Sequence, residues 1–315
     1  MSDGARWDSA YHAPVLAAEI VRLLAAEADP HGRLAVDGTL GGGGHSEALL
    51  EAGFDVVAFD RDPEAIAAAT TRLRAWADAG RFTALRANYA DAADHLAGRP
   101  VHAALLDLGI SSHQIDDLGR GFSFREGAPL DMRMGTDAPD DAATLLNTWD
   151  ERDLARLFRE FGDEPRAPRL AREVTRRRAT RPFATSDDLV GAIRGALGPR
   201  SGPGDFARLF QAVRMGVNDE LAGIGRALPA LRDALVPGGR LAVIAYHSGE
   251  DRLVKHAFRE WSTACVCPPR HPVCTCGHEA LGRLVTRRAL EASADEVARN
   301  PRARSAKLRV WERAA

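Results

Sequence analysis

The 315-residue chain has little lysine, few cysteines and no apolar run as long as 18 residues. A membrane-spanning helix needs about 20 apolar residues, so we expect no contact with a membrane. The N-terminus also lacks the apolar segment of a secretory signal, which favours a cytoplasmic protein. Lysine occurs only at Lys255 and Lys307, and the formal net charge is −2. Overall charge therefore gives no indication of a nucleic-acid partner.

All four cysteines lie within one short segment, as Cys265, Cys267, Cys274 and Cys276. Four thiolates so close together are a ligand set for a tetrahedral zinc ion. Each pair has the spacing C-x-C, however, whereas structural zinc sites typically use C-x-x-C or longer. A zinc site and reduced thiols in a proline-rich surface loop both remain open interpretations. Disulfide bonds are not expected in the cytosol.

The chain is rich in glycine at one place, between a predicted strand and a predicted helix. Five glycines lie from Gly38 to Gly44, after the apolar residues 34–36 and the acid Asp37. A helical pattern follows at once, with Ser46 as its predicted cap. Strand, glycine loop and helix are the plan of a nucleotide-type cofactor site, because glycine lets the backbone approach a ligand and a helix N-terminus binds anionic groups.

Three further apolar runs are predicted strands of the same sheet. Residues 56–60 end in Asp60, residues 103–107 end in Asp107, and residues 239–246 follow a Pro-Gly-Gly turn. Helical patterns separate these runs, which is typical of a parallel sheet buried on both faces. In doubly wound α/β folds, an acid at the end of the second strand binds ribose hydroxyls. The sequence therefore predicts an α/β fold with a cofactor at the strand ends.

About 130 residues separate Asp107 from the next predicted strand, near Arg240. A crossover rarely contains so long a loop without secondary structure, so a folded segment must be inserted. Apolar residues in this segment recur at helical spacing. We predict one domain formed by residues 1–117 and 216–315, with residues 118–215 as an inserted helical domain.

Nine motifs are spread over nearly the whole chain, at residues 12–16, 37–46, 60–62, 106–112, 120–124, 129–134, 210–218, 246–252 and 300–305. Together they resemble the small-subunit ribosomal RNA methyltransferase H family, also called MraW. The resemblance implies a class I S-adenosylmethionine-dependent methyltransferase fold, which is Rossmann-like, with an inserted helical domain. It further implies S-adenosylmethionine as the cofactor and N4 of a cytosine in the decoding region of 16S rRNA as the substrate, within the small ribosomal subunit.

The resemblance also implies a set of cofactor residues at or beyond the predicted strand ends. These are Gly43, Gly44, His45, Asp60, Tyr89, Asp107 and Gln114. Among them, Asp60 is expected to bind the ribose hydroxyls and Tyr89 to flank the adenine. A carboxylate such as Asp107 or Asp37 suits the positive charge of a sulfonium.

Methylation of an exocyclic amine benefits from an acceptor for its proton, because the nitrogen lone pair is conjugated into the ring. Asp107 is the predicted acceptor, and His247 is a second choice for a catalytic contact with the base. A helix cap at Ser248 is an equally good interpretation of that region. The usual Pro-Pro-aromatic sequence is absent after Asp107, so an aromatic that stacks on the base must come from elsewhere.

The inserted domain is predicted to recognise RNA. Phe122, Phe124 and Arg133 are candidates to hold the flipped cytosine, although the two phenylalanines could equally anchor the insert to the sheet. Residues 166–181 contain seven arginines and one acid. Candidates for phosphate contacts are the arginines on one helical face, Arg169, Arg172 and Arg176. Residues 299–309 form a second basic tract.

Two other functions are compatible with parts of this pattern. A nicotinamide dehydrogenase also uses a glycine loop and a strand-end acid, but the loop lacks a clean G-x-G-x-x-G spacing. A non-enzymatic RNA-binding assembly factor could retain such a pocket, although the acids Asp37, Asp60 and Asp107 are all intact. The sequence leaves the oligomeric state open, including a homodimer.

Overall fold

The computed structural model describes residues 6–8, 13–25, 29–135, 137–268, 273 and 275–315. The chain forms two compact units. The first comprises Met1–Gly109 and Ala222–Ala315, and the second comprises Ile110–Leu221. Among the described residues, no helix is both long and apolar enough to cross a membrane.

The first unit is built on a sheet whose strands, in chain order, are β1 (Leu34–Asp37), β2 (Asp55–Asp60), β3 (Phe82–Arg86), β4 (Val101–Asp107), β5 (Leu235–Ala245), β6 (Gly282–Leu284) and β7 (Lys307–Arg313). The spatial order is β3-β2-β1-β4-β5-β7-β6. Strands β1 to β5 pair in parallel, and β7 is antiparallel to both of its neighbours. This is the class I methyltransferase fold, so the predicted fold class is confirmed.

The helices, numbered along the chain, are α1 (Ala17–Leu24), α2 (Gly44–Glu51), α3 (Pro63–Arg72), α4 (Arg74–Asp78), α5 (Ser112–Asp116), α6 (Ala142–Thr148), α7 (Glu151–Glu160), α8 (Ala167–Arg178), α9 (Ser186–Leu197), α10 (Pro203–Val217), α11 (Glu220–Ala234), α12 (Ser248–Trp261) and α13 (Ala294–Arg299). Short 3₁₀ helices span Tyr89–Leu96, Leu118–Arg120 and Pro301–Ser305. Helices α5 to α10 belong to the second unit.

The central strands are buried on both faces, as their continuous apolar sequence predicts. In β2, Val56, Val57, Ala58 and Phe59 are each no more than 2% exposed. Each large side chain of this kind contributes about 1.5–3 kcal/mol when it is removed from water. The local sequence accounts for the start of helix α3, because Asp62 accepts from the Glu64 N–H and Pro63 occupies the first helical position.

The second unit has its own apolar core, in which the helices bury side chains at helical spacing. The core includes Leu145, Leu154, Phe158, Leu170, Val174, Leu189, Ile193 and Phe210. A buried amide holds the loop before α6 against the end of α10: the Asn218 side chain donates to the Met132 carbonyl and accepts from the Met134 N–H, each at 2.8 Å. Asn218 of the motif 210–218 therefore holds the loop formed by the motif 129–134.

Candidate active site

The glycine loop begins at a buried acid. Asp37, the last residue of β1, accepts hydrogen bonds from the Thr39 N–H (3.0 Å) and from the Ser46 hydroxyl (2.8 Å). Burial raises the pKa of the Asp37 carboxyl. Ser46 was predicted to cap α2, and this prediction was wrong. The N-cap is Gly43, and Ser46 lies on the third position of the helix, facing Asp37.

At two positions of the loop, the backbone conformation or a close neighbour requires glycine. Gly43 has φ 79°, and a Cβ there would lie 3.1 Å from the Ala69 Cβ. A Cβ on Gly44 would come within 2.9 Å of the Pro14 ring. Larger residues would therefore push the loop away from α3 and from the segment before α1. Beyond Gly43, the first backbone N–H groups of α2 lie at the end of β1, where an anionic group can accept from them.

Asp60 ends β2 beside this loop. Its two carboxylate oxygens accept from the backbone N–H groups of Gly41 (2.8 Å) and Asp62 (2.9 Å). Burial raises the pKa of Asp60 to about 6, although these two hydrogen bonds act in the opposite direction. Because a carboxylate has about four lone-pair sites, both oxygens can accept a further hydrogen bond. The acid is thus held in place while retaining the capacity to bind hydroxyl groups.

Asp107 ends β4 on the other side of β1 and lies close to His45 and Tyr246. The Tyr246 hydroxyl donates to Asp107 Oδ1 at 2.9 Å, and His45 Nδ1 lies 3.6 Å from Oδ2. Burial raises the pKa of Asp107 to about 6; His45 and the Tyr246 hydrogen bond lower it, and the nearby Asp37 and Glu250 carboxylates raise it. A carboxyl group with this pKa can exchange a proton near neutral pH.

A contact at Nε2 sets the orientation of the His45 ring. His45 Nε2 lies 2.9 Å from the Val15 carbonyl oxygen, which can only accept a hydrogen bond. Nε2 is therefore assigned the hydrogen, and Nδ1 faces Asp107. The contact with Val15 fixes the ring, so His45 is a rigid neighbour of the Asp107 carboxylate.

His247, the second catalytic candidate, caps helix α12. Its Nδ1 accepts from the backbone N–H groups of Gly249 (3.1 Å) and Glu250 (3.4 Å). The cap is thus His247 and not Ser248. An accepting Nδ1 carries no hydrogen, and Nε2 lies 3.0 Å from Glu250 Oε1. Both ring nitrogens therefore face groups of α12, and the arrangement favours a positioning role over contact with the base.

Two residues near Asp107 were not predicted as site residues. Tyr246 is the phenol that donates to Asp107, and burial raises its pKa well above the ordinary value. Glu250 is 1% exposed, and its Oε2 accepts from the Tyr246 N–H at 2.9 Å. The sequence feature that could have identified Glu250 is its position as an acid in the first turn of a predicted helix. Such acids usually lie at the surface, so this position does not distinguish a site residue. The described structure thus groups Asp37, His45, Asp107, Tyr246 and Glu250 within the first unit.

Tyr89 and Gln114, two other candidates, lie in different units. Tyr89 follows β3 and packs beside Gly38, since a Cβ on that glycine would lie 3.0 Å from the Tyr89 Cβ. Gln114 is buried in the second unit, where its side-chain oxygen accepts from the Ser111 N–H at 3.0 Å. Ser111 returns the contact by accepting from the Gln114 N–H, which forms a capping box at the start of α5. Their roles at a cofactor remain predictions.

The candidate base-binding residues of the second unit differ in exposure. Phe122 is 8% exposed and belongs to the apolar core of the second unit, so its ring packs within the insert itself. Anchoring of the insert to the sheet remains a prediction. Phe124 is 37% exposed, and its ring packs edge-on against Phe206 and Phe210. Arg133 makes a two-pronged ion pair with Asp131, at 2.8 and 2.7 Å. A hydrogen bond from Arg133 lowers the pKa of the Asp131 carboxyl.

The candidate phosphate-binding arginines lie on α8. Arg169, Arg172 and Arg176 are exposed. Two of them have acidic neighbours: Arg172 lies 3.7 Å from Glu151, and Arg176 lies 2.7 Å from Glu173. Hydrogen bonds from Arg176 and Arg177 lower the pKa of Glu173 to about 2. The basic surface is therefore weaker than the sequence count suggests, and contact with RNA remains a prediction.

The C-terminal part of the second basic tract lies in the sheet. Lys307 and Arg309 lie in strand β7, where polar and buried apolar residues alternate. The Arg309 guanidinium pairs with Asp251 of α12 at 2.7 and 3.1 Å. Arg309 therefore ties strand β7 to helix α12.

Three cysteines of the described chain form a cluster in the first unit. The sulfur atoms of Cys265, Cys267 and Cys276 all lie within 4.8 Å of one another. Cys274 lies outside the described residues. A hydrogen bond with the Thr275 backbone lowers the pKa of the Cys267 thiol.

Comparison with known proteins identifies the family. The sequence pattern of the MraW methylase family matches residues 9–314. Proteins named ribosomal RNA small subunit methyltransferase H align with this chain over nearly their full length. The relative from Gemmatimonas aurantiaca is 60% identical over 306 residues, which are 96% of each protein. The relative from Anaeromyxobacter sp. is 48% identical over 308 residues, covering 96% of this chain and 97% of that one. The chain therefore belongs to the MraW methylase family.

Proposed function

We propose that the protein transfers a methyl group from S-adenosylmethionine to N4 of a cytosine in the decoding region of 16S rRNA. The name of these relatives specifies ribosomal RNA of the small subunit. The observation that carries the proposal is the set of acids Asp60, Asp37 and Asp107, which end the adjacent strands β2, β1 and β4 around the glycine loop. Such a crevice at strand ends is where α/β folds bind nucleotide-like cofactors.

The residues at these strand ends fit S-adenosylmethionine. When bound, this cofactor supplies a methyl group on a positively charged sulfur. Asp60 can accept from the ribose hydroxyls, and the backbone N–H groups after Gly43 can donate to the methionine carboxylate. A Cβ built on Gly41 meets no atom within 4 Å, so open space borders the loop next to Asp60. Asp107 and Asp37 supply negative charge in the same crevice.

Asp107 is the residue best suited to accept the proton that N4 must lose. Its carboxylate is held by the Tyr246 hydroxyl, and its pKa of about 6 leaves it mainly ionised at neutral pH. A base whose pKa lies slightly below the working pH combines the correct charge with a useful affinity for the proton. His45 and Glu250 adjust that pKa and hold the surrounding groups.

The second unit is proposed to hold the RNA, with Phe124 and the exposed arginines of α8 as contacts. An exposed aromatic ring can stack on an unpaired base, and arginines neutralise phosphates. We place the reaction on the assembled small ribosomal subunit in the cytoplasm. Family membership favours this function over both alternatives, the nicotinamide dehydrogenase and the non-enzymatic assembly factor.

Nucleoside mass mapping tests the function directly. The 16S rRNA of cells that contain the protein should carry N4-methylcytidine in the decoding region, and that of cells without it should not. Purified protein and S-adenosylmethionine should restore the modification on isolated small subunits from the deficient cells. Identical nucleoside maps in both strains would reject the proposal. Restoration on naked 16S rRNA but not on subunits would reject the assembled subunit as substrate.

A further inference from the structure

The loop between α12 and β6 is long and closed, and its described residues have little apolar packing. Its two ends meet, because the Leu281 N–H donates to the Trp261 carbonyl at 2.8 Å. The described residues between these ends form neither helix nor strand. Three apolar side chains in it are exposed, Val266 by 63%, Val273 by 68% and Leu281 by 47%. Among the described residues of this loop, hydrophobic burial therefore does not account for the convergence of the two arms.

Three sulfur atoms from the two arms of the loop converge. Cys265 and Cys267 lie on the first arm and Cys276 on the second, and their sulfur atoms lie within 4.8 Å of one another. The sulfurs of Cys265 and Cys276 are 3.8 Å apart. That distance is much longer than the bond of about 2.05 Å in a disulfide. It matches the separation of about 3.8 Å between two thiolates on a tetrahedral zinc ion with bonds of about 2.3 Å.

We propose that Cys265, Cys267 and Cys276 bind one zinc ion that joins the two arms of this loop. Soft thiolate ligands select zinc over magnesium or calcium, and a zinc ion can replace the missing apolar core of a short segment. The three thiols release their protons when the metal binds, so occupancy falls in acid. The site is structural and separate from the acids at the strand ends.

Metal content provides the first test. The full chain is expressed in zinc-supplemented medium, purified without a histidine tag under reducing conditions, and dialysed before mass spectrometry of metals. We expect about one zinc per chain. Cys265→Ser, Cys267→Ser and Cys276→Ser should each lower the content at least about tenfold, because a site reduced to two thiolates binds weakly. The matched control is Val266→Ser, which changes an exposed side chain between two of the ligands and should retain the zinc.

Two measurements use the wild-type chain, so they do not depend on whether the serine variants fold. X-ray absorption at the zinc edge of the wild-type protein should show at least three sulfur neighbours at about 2.3 Å. Addition of a chelator to the wild-type chain should make the segment of residues 262–281 sensitive to protease, and zinc should reverse this. A zinc-free wild-type chain that takes up no zinc would overturn the proposal. So would zinc retained by the serine variants, iron with inorganic sulfide, or a Cys265–Cys276 disulfide in freshly trapped protein.

Discussion

Single residues at the strand ends combine firm positioning with a raised pKa. Asp60 and Asp107 end the two strands that flank β1, and burial raises the pKa of each to about 6. Each carboxylate is held by hydrogen bonds from neighbouring groups, with the backbone holding Asp60 and Tyr246 holding Asp107. Both acids are ionised near neutral pH, which suits binding of hydroxyl groups at Asp60 and acceptance of a proton at Asp107.

Replacing Asp60 by asparagine should weaken cofactor binding. Asp60→Asn keeps one acceptor oxygen but places an amide NH₂ against a backbone N–H, so the ribose hydroxyls lose an acceptor. We expect a loss of about 1–3 kcal/mol, or about 5- to 150-fold, in calorimetric affinity for S-adenosylhomocysteine. Asp55→Asn is the matched control, because it lies at the opposite end of β2 with its side chain 43% exposed. Equal affinities for all three proteins would remove the ribose role of Asp60.

Tyr246 should set the pH at which the enzyme loses activity in acid. Its hydroxyl lowers the pKa of Asp107, so Tyr246→Phe should raise that pKa further. The acid limb of the single-turnover rate, expected near pH 6 in the wild type, should therefore move to higher pH. Cofactor affinity measured at about pH 8 serves as the control and should change little, because Asp107 is ionised there in both proteins. An acid limb at the same pH in both proteins would show that Asp107 does not accept the proton.

The sequence predicted the strand-end acids and missed their partners for a physical reason. An apolar run that ends in an acid is a local pattern, and it identified Asp37, Asp60 and Asp107. The hydrogen bond from Tyr246 to Asp107 joins residues 139 positions apart, so no local pattern contains it. Ser46 resembled a helix cap, yet its hydroxyl donates to Asp37 because the helix begins earlier, at Gly44.

Among the elements, strands were predictable where burial is complete on both faces. Residues 56–60 and 103–107 lie inside β2 and β4 because a parallel strand covered on both sides needs an unbroken apolar sequence. Strand β7 alternates polar and buried residues, and its Lys307 and Arg309 were taken for part of a basic tract. The acid that pairs with Arg309 is Asp251, which lies 58 residues away in the chain. Charge counted along the sequence therefore overestimates free basic surface.

Helix α8 is the element on which RNA binding can be tested. Replacing Arg169, Arg172 and Arg176 by glutamine should flatten the salt dependence of binding to small-subunit RNA, because each lost phosphate contact removes about 0.7–0.9 from the logarithmic slope. Arg169→Gln alone should have the largest single effect, since acidic neighbours already engage the other two. Filter binding between low and physiological salt measures the slope.

A second triple variant controls for the loss of charge alone. Arg22, Arg74 and Arg99 are exposed arginines of the first unit, and their replacement by glutamine removes the same charge. This control should leave the slope nearly unchanged. If both triple variants flatten the slope equally, α8 is not the RNA-binding element.

At the scale of the whole molecule, the site lowers the stability of the unit that carries it. The first unit buries the carboxyls of Asp37, Asp60 and Asp107 near one another, and burial raises the pKa of all three. A raised pKa means that the folded chain binds the proton more tightly than the unfolded chain does. These three carboxyls therefore lower the free energy of unfolding progressively as the pH rises from about 4 to above 6. The ionised carboxylates that the reaction needs at neutral pH therefore reduce the stability of the folded unit.

Asp107→Asn should reveal this effect, because the variant keeps the shape and an acceptor for Tyr246 but removes the charge. Between about pH 5 and pH 7.5 the wild type should lose about 1–2 kcal/mol more unfolding free energy than the variant. Denaturant unfolding followed by tryptophan fluorescence at both values measures the difference. Asp55→Asn, at an exposed position of the same sheet, should follow the wild type. If Asp107→Asn also follows the wild type, the Asp107 pKa is not raised in the folded protein, and its role as a proton acceptor near neutral pH loses its physical basis.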